Sequence, residues 1–498
     1  MTATDMLAAR PASAAKTEHF DVLVVGAGIS GVGAAYHLQT QRPGTSFVVL
    51  ESKDTFGGTW VTHKYPGIRS DSDLYTFGYR FKPWTGTPIA TAQEILAYMG
   101  EVIEENDLAR HIRYGHKIVG ASWSSQDNLW TVEAVHDGKS VRFTTNFLFM
   151  CQGYYKHDQG YTPDWPGMAE FKGRIIHPQL WPEDADLKGK KVVVIGSGAT
   201  AATLVPNIAD ETEHVTLLQR SPTYFVPGRN ANELADTLRE LEVDEAWIHE
   251  IVRRKVLFDQ ANFTRRAQEE SEAVKAELLA GVRLFLGEDF DVDTHFTPRY
   301  RPWRQRIAFI PNGDLFQSIK AGKASVVTDE IERFTDKGVL LKSGRELEAD
   351  VVVTATGFDL SVLGDIPFEV DGKPVDWAST VTYRGMMFTN VPNLVWVFGY
   401  FRASWTLRAD LVGDFVARLL AHMQDKGYRK VVPQLPDEGM ELKPWIDPEN
   451  FNPGYLMRSL HLMPKSGEGP EWQHTQDYWA EKAVIPKIDL DSSALKYS

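Results

Sequence analysis

The sequence predicts an α/β fold, because one pattern of apolar strand, glycine turn and helix occurs twice along the chain. The first copy is FDVLVVGAGISGVGAAYHL from residue 20, and the second is KKVVVIGSGATAATLVPNIA from residue 190. Each copy is followed by another apolar strand, as in Rossmann-like dinucleotide-binding domains. Residues 230–290 are rich in Glu, Ala, Leu and Arg, which predicts inserted helices. We therefore expect two Rossmann-like domains, the second with a helical insertion.

The first glycine turn has the spacing GxGxxG, with Gly26, Gly28 and Gly31. Small residues let the backbone approach a pyrophosphate at the N-terminus of the helix, and Ser30 lies within the same turn. Glu51 follows Gly31 by 20 residues and ends the next strand. A carboxylate at that place accepts hydrogen bonds from a ribose diol. These residues predict a dinucleotide site for a ribose without a 2′-phosphate.

The residues after this unit predict a helix and then a β-meander. Thr91 and Glu94 form a capping box at the start of the helix TAQEILAYMGEVIEENDL (91–108). Residues 112–151 have the pattern of strands, with turns predicted at DNLW and HDGK. Cys151 ends the last of these strands, where we expect a small buried hydrophobic side chain without a catalytic role.

The second glycine turn is the GxGxxA variant, and we expect its backbone to contact a nucleotide through Gly196, Gly198, Ala199, Thr200 and Ala201. The strand after it ends in Arg220 and Ser221 instead of an acid. A guanidinium pairs with a 2′-phosphate through two hydrogen bonds, whereas an acid repels it. This second site therefore favours NADPH over NADH.

An acid-ended site and an arginine-ended site in one chain indicate FAD held permanently and NADPH as the reductant. The chain has one cysteine, so no thiol pair can take the electrons further. Oxygen or an external acceptor is then the expected destination. The predicted organisation is a disordered tail (1–19), a first FAD segment (20–155), an NADPH domain (156–359) with the insertion at about 230–290, and a second FAD segment with the C-terminal region (360–498).

Composition removes several function classes. The net charge is −14 and no basic run is present, which disfavours nucleic acid as a partner. The histidines, including His63 and His157, lack the spacing of metal ligands, so we expect no metal. No apolar stretch approaches the roughly 20 residues that span a bilayer. We expect a cytoplasmic protein that acts on small molecules, with no membrane contact and no protein partner.

Two longer motifs resemble a known family. GGTWVTHKYPGIRSD (57–71) and FKGRIIHPQLWP (171–182) resemble the two fingerprints of type I Baeyer–Villiger monooxygenases, which are class B flavin monooxygenases. The resemblance covers nearly the whole chain from about residue 20, including ATGF (355–358) and SWTLRAD (404–410). YPGIRSDSDLYTFGYRFKPW (65–84) is most similar to the subgroup that includes the ethionamide-activating monooxygenases.

The resemblance implies an activity that depends on FAD, NADPH and O2. A peroxyflavin attacks a ketone, the adduct rearranges to an ester or lactone, and thioether oxidation is a side activity. An arginine, by pattern Arg306, stabilises the anionic oxygen, and an aspartate, by pattern Asp71, partners it. These roles fit the chemistry, because arginine keeps its proton beside an anion. Arg301 and Arg304 lie close by in RPWRQRIAF and stay alternatives for the register.

The resemblance assigns further contacts. It implies FAD contacts by Gly58, Thr59 and Trp60, an adenine contact by Ile118, and a place near the nicotinamide for Trp405. It also implies a lysine just before the catalytic arginine that contacts the 2′-phosphate of NADPH, but this chain has Gln305. Recognition of the 2′-phosphate then depends more on Arg220, with Ser221 as a helper.

His177 is marked by the same resemblance as important for catalysis, without acting as an acid or base on the substrate. His177 and Trp181 each precede a proline, which favours extended backbone over helix. We therefore expect a stiff link between the two nucleotide domains.

Two other function classes stay open at this point. One is a flavin monooxygenase that oxygenates nitrogen or sulfur, and the other is an NADPH oxidase or flavin reductase. Product identity separates the three, because an ester indicates the first class, a sulfoxide alone the second, and hydrogen peroxide alone the third.

Overall fold

The computed structural model describes residues 17–436 and 439–498. Residues 1–16 of the predicted tail lie outside the described residues, and the first strand begins at Glu18, inside the predicted end of that tail. In the described part of the chain, no helix is long and apolar enough to cross a membrane.

The first segment has helices and strands in the predicted order, with the βαβ unit first and the meander after it. Its elements are β1 (Glu18–Val25), α1 (Ile29–Gln41), β2 (Phe47–Leu50), α2 (Thr59–Thr62), α3 (Leu74–Phe77), α4 (Ala92–Glu105), β3 (Ile112–Arg113), β4 (Lys117–Ser124), β5 (Leu129–His136), β6 (Lys139–Met150) and β7 (Tyr155–Gly160). The capping box at Thr91 and Glu94 is present. Asp137 and Gly138 both have positive φ, which gives the tight turn predicted at HDGK.

The second segment starts after β7 and contains the second glycine turn and the insertion. Its elements are β8 (Arg174–Ile176), β9 (Lys191–Ile195), α5 (Ala199–Ile208), β10 (His214–Gln219), β11 (Phe225–Gly228), α6 (Glu233–Glu240), α7 (Glu245–Glu269), α8 (Ser271–Leu286), α9 (Val292–Phe296), β12 (Ala308–Pro311), α10 (Asp314–Lys320), β13 (Ala324–Thr328), β14 (Ile331–Phe334), β15 (Gly338–Leu341), β16 (Glu346–Glu348), β17 (Val351–Thr354) and β18 (Phe358–Leu360). Helices α6 to α8 occupy the region of the predicted insertion.

The third segment returns to the first sheet. Its elements are β19 (Phe368–Val370), β20 (Lys373–Pro374), β21 (Thr382–Tyr383), β22 (Met387–Phe388), β23 (Leu394–Trp396), α11 (Trp405–Lys426), β24 (Val431–Pro433), β25 (Lys443–Pro444), α12 (Gly454–Ser459), β26 (Lys465–Ser466), α13 (Tyr478–Val484) and β27 (Leu495–Tyr497). Strand β23 pairs in parallel with the end of β6, and β19 pairs with β4.

Two sheets organise the described residues. The first has nine strands in the order β20-β19-β4-β5-β6-β1-β2-β3, with β23 also beside β6. The second has five strands in the order β13-β10-β9-β17-β8, and all its pairs are parallel. Each glycine turn follows the carboxyl end of a parallel strand, which is the edge where open α/β sheets bind ligands.

Residues of β1 alternate between two cores of the first sheet. Val22 and Val24 pack in the core that contains residues of α1, α4 and α11, whereas Leu23 and Val25 pack in the core that contains β4 and β5. Helix α11 lies against α1, where His37 Nε2 is 3.0 Å from Asp410 Oδ1. The third segment therefore covers the helix that opens the first nucleotide site.

Helix α7 of the insertion packs onto the first segment. Its residues Ile248 and Val252 are buried in the core of α1 and α4. The buried Arg253 donates from Nη1 to the carbonyl oxygens of Tyr75, Thr76 and Gly78 at 2.8, 3.3 and 3.0 Å. These three carbonyls lie at the end of α3, so the insertion holds the segment that follows the GGTW loop.

Candidate active site

The first glycine turn has the close contacts that its spacing predicts. Gly26 has φ of +95°, and a Cβ on Gly31 would lie 1.8 Å from the carbonyl oxygen of Gly26. Helix α1 can therefore start this close to β1 only with glycine at position 31. Gly28 is the N-cap of α1, so the free N–H groups of the first turn face outward from this point, as a pyrophosphate requires.

Glu51 is buried beside this turn. Its Oε2 accepts a hydrogen bond from the Ala27 N–H at 2.7 Å, and its Oε1 accepts one from the Lys53 N–H at 2.9 Å. A carboxylate has about four acceptor positions, so ribose hydroxyls can still be accepted. Glu51 thus holds the loop in shape and fits the predicted contact to the ribose of FAD.

The GGTW loop begins directly against the first turn. Gly58 has φ of +56°, and a Cβ there would lie 3.0 Å from the Cα of Gly28. Thr59 Oγ1 is 2.9 Å from the Tyr155 hydroxyl oxygen, and the Trp60 ring meets Phe77 edge-on at 5.7 Å between centroids. The loop and the turn are therefore one surface, in agreement with joint contacts to FAD.

The second turn opens onto a cavity. Gly196 has φ of +141°, and a Cβ there would lie 2.3 Å from the carbonyl oxygen of Ala355 in the ATGF motif, whereas no atom lies within 4 Å of a Cβ built on Gly198. Ala201 is fully buried behind the turn. The N-terminus of α5 is therefore open for a phosphate group.

The cavity has a volume of about 730 Å³ and receives side chains from all three segments. Its walls include some of the residues predicted for the two nucleotide sites, namely Thr59, Trp60, Gly196, Gly198, Ala199, Thr200, Arg220 and Ser221. The predicted residues Gly26, Gly28, Ser30, Gly31, Glu51, Gly58 and Ala201 do not line it. The neutral Gln305 also lines it. The size and composition of this cavity fit a dinucleotide approaching the GGTW loop.

Arg306 and Asp71 form an ion pair in the wall of this cavity. Arg306 Nη2 is 2.7 Å from Asp71 Oδ2, and the side chains are 34% and 36% exposed. Burial lowers the pKa of Arg306, but the charge of Asp71 and the neighbouring Tyr455 and Tyr154 offset it, so the pKa lies above its ordinary value. The guanidinium therefore stays charged.

The surroundings of Arg301, Arg304 and Arg306 differ, and this bears on which of them matches the arginine that the resemblance implies. Arg306 lines the large cavity, and Arg301 and Arg304 do not. Arg301 instead donates from Nη2 to the Asn450 side-chain oxygen at 2.8 Å. The geometry thus selects Arg306 as the candidate that faces a ligand.

A second, smaller cavity of about 220 Å³ meets the first at the same ion pair. Both Asp71 and Arg306 belong to its walls. The rest of the lining is largely apolar and aromatic, with Ile89, Val226, Phe263, Trp303, Ile307, Phe309 and Phe401. The polar remainder of the wall includes Asp73, Gln260 and Arg402. A pocket with a mainly apolar wall and a few polar groups is a place for a small organic substrate.

Tyr154 and Tyr455 were not predicted from the sequence, yet both lie beside Arg306. Burial raises the pKa of each hydroxyl, with smaller opposing effects of the Arg306 charge. Tyr154 follows β6 directly in the motif QGYY, which is a weak signal at the carboxyl end of a parallel strand. Tyr455 lies on α12, about 150 residues after Arg306, and no spacing connects the two.

Trp405 contacts the first glycine turn and Tyr154. Its Nε1 donates to Ser30 Oγ at 2.8 Å, and its ring stacks on Tyr154 at 5.1 Å between centroids. Trp405 lines neither cavity, and its place near the nicotinamide stays a prediction. Ile118 lies on β4, also outside both cavities.

His177 lies behind the ATGF motif. Its Nδ1 accepts a hydrogen bond from the Gln179 N–H at 3.2 Å, so Nε2 carries the proton that faces the Gly357 carbonyl oxygen at 3.2 Å. Burial lowers the pKa of His177, which keeps the ring neutral. The backbone of His177 and Trp181 is extended, as their prolines predict, around a short 3-10 helix.

Comparisons with known proteins agree with this geometry. The chain is 46% identical over 484 residues to the FAD-containing monooxygenase EthA of Mycobacterium tuberculosis, a match that covers 97% of this chain and 98% of that protein. The chain belongs to the flavin-binding monooxygenase family. It is also 41% identical over 489 residues to the putative FAD-containing monooxygenase MymA of the same organism, with 97% and 98% covered. The predicted family and the expectation of a flavin-dependent enzyme are confirmed.

Family models and solved structures support the same assignment. The model for flavin-binding monooxygenase-like proteins matches residues 88–233, and that for an NAD(P)-binding Rossmann-like domain matches 24–86. Cyclohexanone monooxygenase with bound ε-caprolactone aligns with a TM-score of 0.75 at 22% identity, covering 97% of this chain and all of the other. Steroid monooxygenase bound to NADP aligns with a TM-score of 0.68 at 24% identity, covering 84% and 88%. The predicted α/β fold with its Rossmann-like domain is confirmed.

Proposed function

We propose that this protein is a Baeyer–Villiger monooxygenase that uses FAD, NADPH and O2 to convert ketones to esters or lactones, with thioether oxidation as a side activity. The observation that carries the proposal is the Arg306–Asp71 pair at 2.7 Å. Both residues border the dinucleotide-sized cavity and the apolar one. A fixed positive charge where a nucleotide and an apolar substrate meet suits a reaction that develops negative charge on oxygen.

The two glycine turns are the proposed cofactor sites. FAD is held by Gly26, Gly28, Ser30, Gly31, Glu51, Gly58, Thr59 and Trp60. NADPH is held by Gly196, Gly198, Ala199, Thr200, Ala201, Arg220 and Ser221. Relatives are described as FAD-containing, and a structural neighbour binds NADP. When bound, FAD reduced by NADPH supplies the activation of O2.

Arg306 stabilises negative charge in the reaction without giving up its proton, because its pKa lies above the ordinary value. Asp71 orients the guanidinium and leaves the site nearly neutral. Tyr154 and Tyr455 keep their hydroxyl protons, since burial raises their pKa values. The apolar side chains of the smaller cavity are the proposed contacts of the substrate.

His177 is a positioning residue in this proposal. Through the Gly357 carbonyl it holds the ATGF turn, whose Ala355 carbonyl lies against Gly196 of the second glycine turn. A change in the link around His177 would therefore move the NADPH site relative to the flavin side.

Product analysis tests the proposal. Purified protein with FAD is supplied with NADPH, air and a panel of linear, cyclic and aromatic ketones and one thioether, and the products are identified. We expect an ester or lactone from at least one ketone. Sulfoxide without any ester would favour a nitrogen- or sulfur-oxygenating enzyme, and hydrogen peroxide as the sole product would favour an NADPH oxidase.

A further inference from the structure

Arg458 is a partly buried cation in the wall of the large cavity, far in sequence from either glycine turn. It lies on α12 of the third segment, and the cavity wall also contains Arg220 and Ser221. Its guanidinium carbon is 3.5 Å from the centroid of the Tyr161 ring, another residue of the wall. Stacking on an aromatic ring fixes a guanidinium in one plane while its N–H groups stay available at the edge.

Neither Arg458 nor Arg220 has an ion-pair partner among the residues that the structure describes. Arg458 has one long hydrogen bond, from Nη2 to the Phe358 carbonyl oxygen at 3.4 Å. Burial lowers the pKa of Arg458; Tyr161 and Asp359 oppose this, and the charge of Arg220 adds to the lowering. Two guanidinium groups therefore repel each other across the cavity.

The carboxylates of the same wall have other hydrogen-bond partners, although the charge of Arg220 also contributes to lowering the pKa of Glu330. Glu330 Oε2 accepts a hydrogen bond from Lys342 Nζ at 2.6 Å. Asp329 Oδ1 accepts one from the backbone N–H of Glu330 at 2.7 Å, and Gln305 is neutral. An anionic group between Arg220 and Arg458 would relieve their repulsion and receive charge-assisted hydrogen bonds from both.

We propose that Arg458 is a specificity-determining residue that binds the 2′-phosphate of NADPH together with Arg220. The inference rests on the proposed NADPH site and extends it across segments, because Arg220 directly follows β10 of the second segment while Arg458 belongs to the third. The phosphate then connects the two segments directly. NADH lacks the phosphate and leaves the two cations unpaired.

Binding to the oxidised FAD-containing protein tests this assignment. NADP⁺ and NAD⁺ are titrated by calorimetry into the wild type, Arg458→Gln, Arg458→Lys and the control Arg345→Gln, which replaces an exposed arginine of the second segment that lines neither cavity. We expect Arg458→Gln to weaken NADP⁺ binding roughly tenfold, as loss of a charged hydrogen bond does, and NAD⁺ binding less than twofold. Arg458→Lys should recover part of the loss, since it keeps the charge without the fork.

Equal weakening of both nucleotides, or no change in either, would overturn the assignment. Thermal unfolding of each variant shows whether loss of the Tyr161 contact disturbs the fold, and Arg458→Lys keeps the test valid if Arg458→Gln is unstable. The readout is separate from turnover. A wild type that binds NADP⁺ but makes no ester contradicts the proposed function alone, whereas full NADP⁺ affinity in Arg458→Gln contradicts this inference alone.

Discussion

Arg306 combines a fixed charge with access to two cavities, and its neighbours come from separate parts of the chain. Asp71 belongs to the first segment, Tyr154 follows β6, and Tyr455 lies on α12. Fingerprint spacing predicts Asp71 and suggests Arg306 within a cluster of three arginines. It does not predict the tyrosines, because contacts between distant segments leave no periodic signal in a single sequence.

Replacing Arg306 separates flavin reduction from oxygen transfer. Arg306→Ala should still allow NADPH to bleach the flavin absorbance under anaerobic conditions, but should lower ester formation by a factor of about 100 or more, as expected for a group that stabilises developing charge. Arg304→Ala is the control, since Arg304 lines neither cavity. Ester formation at the wild-type rate in Arg306→Ala would contradict the assigned role.

Replacing Arg220 tests how the second site selects its nucleotide. Arg220→Ala should raise KM for NADPH roughly 10- to 100-fold, because a charged contact to the 2′-phosphate is lost, and should leave KM for NADH within about twofold. Steady-state flavin reduction with each nucleotide measures both values. An equal rise for NADPH and NADH would show that Arg220 does not contact the phosphate.

At the scale of elements, glycine turns and caps are predictable because their backbone geometry restricts the residue type. Gly31 permits the close start of α1, and the capping box of α4 is present as predicted. Trp405 is less predictable, because an aromatic ring at the start of α11 can turn towards either nucleotide. In the structure it bonds Ser30.

The N-cap of α3 predicts a pH effect. Asp73 accepts a hydrogen bond from the Tyr75 N–H, and burial raises its pKa from 3.8 to about 7 although that bond opposes the rise. The folded carboxyl thus holds its proton more tightly than the unfolded one. Its contribution to stability is largest below about pH 4 and decreases as the pH rises through 7.

Asp73→Asn removes this titration and keeps a residue suited to an N-cap. The Tm of Asp73→Asn minus the Tm of the wild type should therefore be higher at pH 8 than at pH 5. Thermal unfolding of the FAD-containing protein at the two pH values measures the difference. A Tm difference that is the same at both pH values would contradict the raised pKa.

At the scale of the whole molecule, the insertion connects regions that the sequence assigns to different domains. Its helices are predictable from composition, but their packing partner is not, because an amphipathic pattern does not identify the surface it covers. Ile248 and Val252 of α7 enter the core of the first segment, whereas Val274 and Leu278 of α8 pack with Tyr224 and Ile307 of the second.

Arg253 should be the main polar anchor of α7. Arg253→Ala removes the donor to three carbonyl oxygens, of which that of Thr76 still accepts a hydrogen bond from Thr406 Oγ1, and should lower the free energy of unfolding by roughly 2 to 4 kcal/mol. Its neighbour Arg254 is exposed and pairs with Glu250, so Arg254→Ala should change the free energy of unfolding by less than about 0.5 kcal/mol. Urea unfolding measures the free energy of unfolding of both variants. An equal decrease in the two would contradict the role of Arg253 as an anchor.

Helix α7 has 25 residues and is therefore about 37 Å long. About a third of the way along it, Arg253 is bound to three carbonyl oxygens of the first segment, while Ala267 near its end packs in an apolar cluster with side chains of the second. Directional bonds resist sliding more than apolar contacts do. If the nucleotide sheets rotate relative to each other during turnover, α7 acts as a lever that pivots at Arg253 and slides at Ala267.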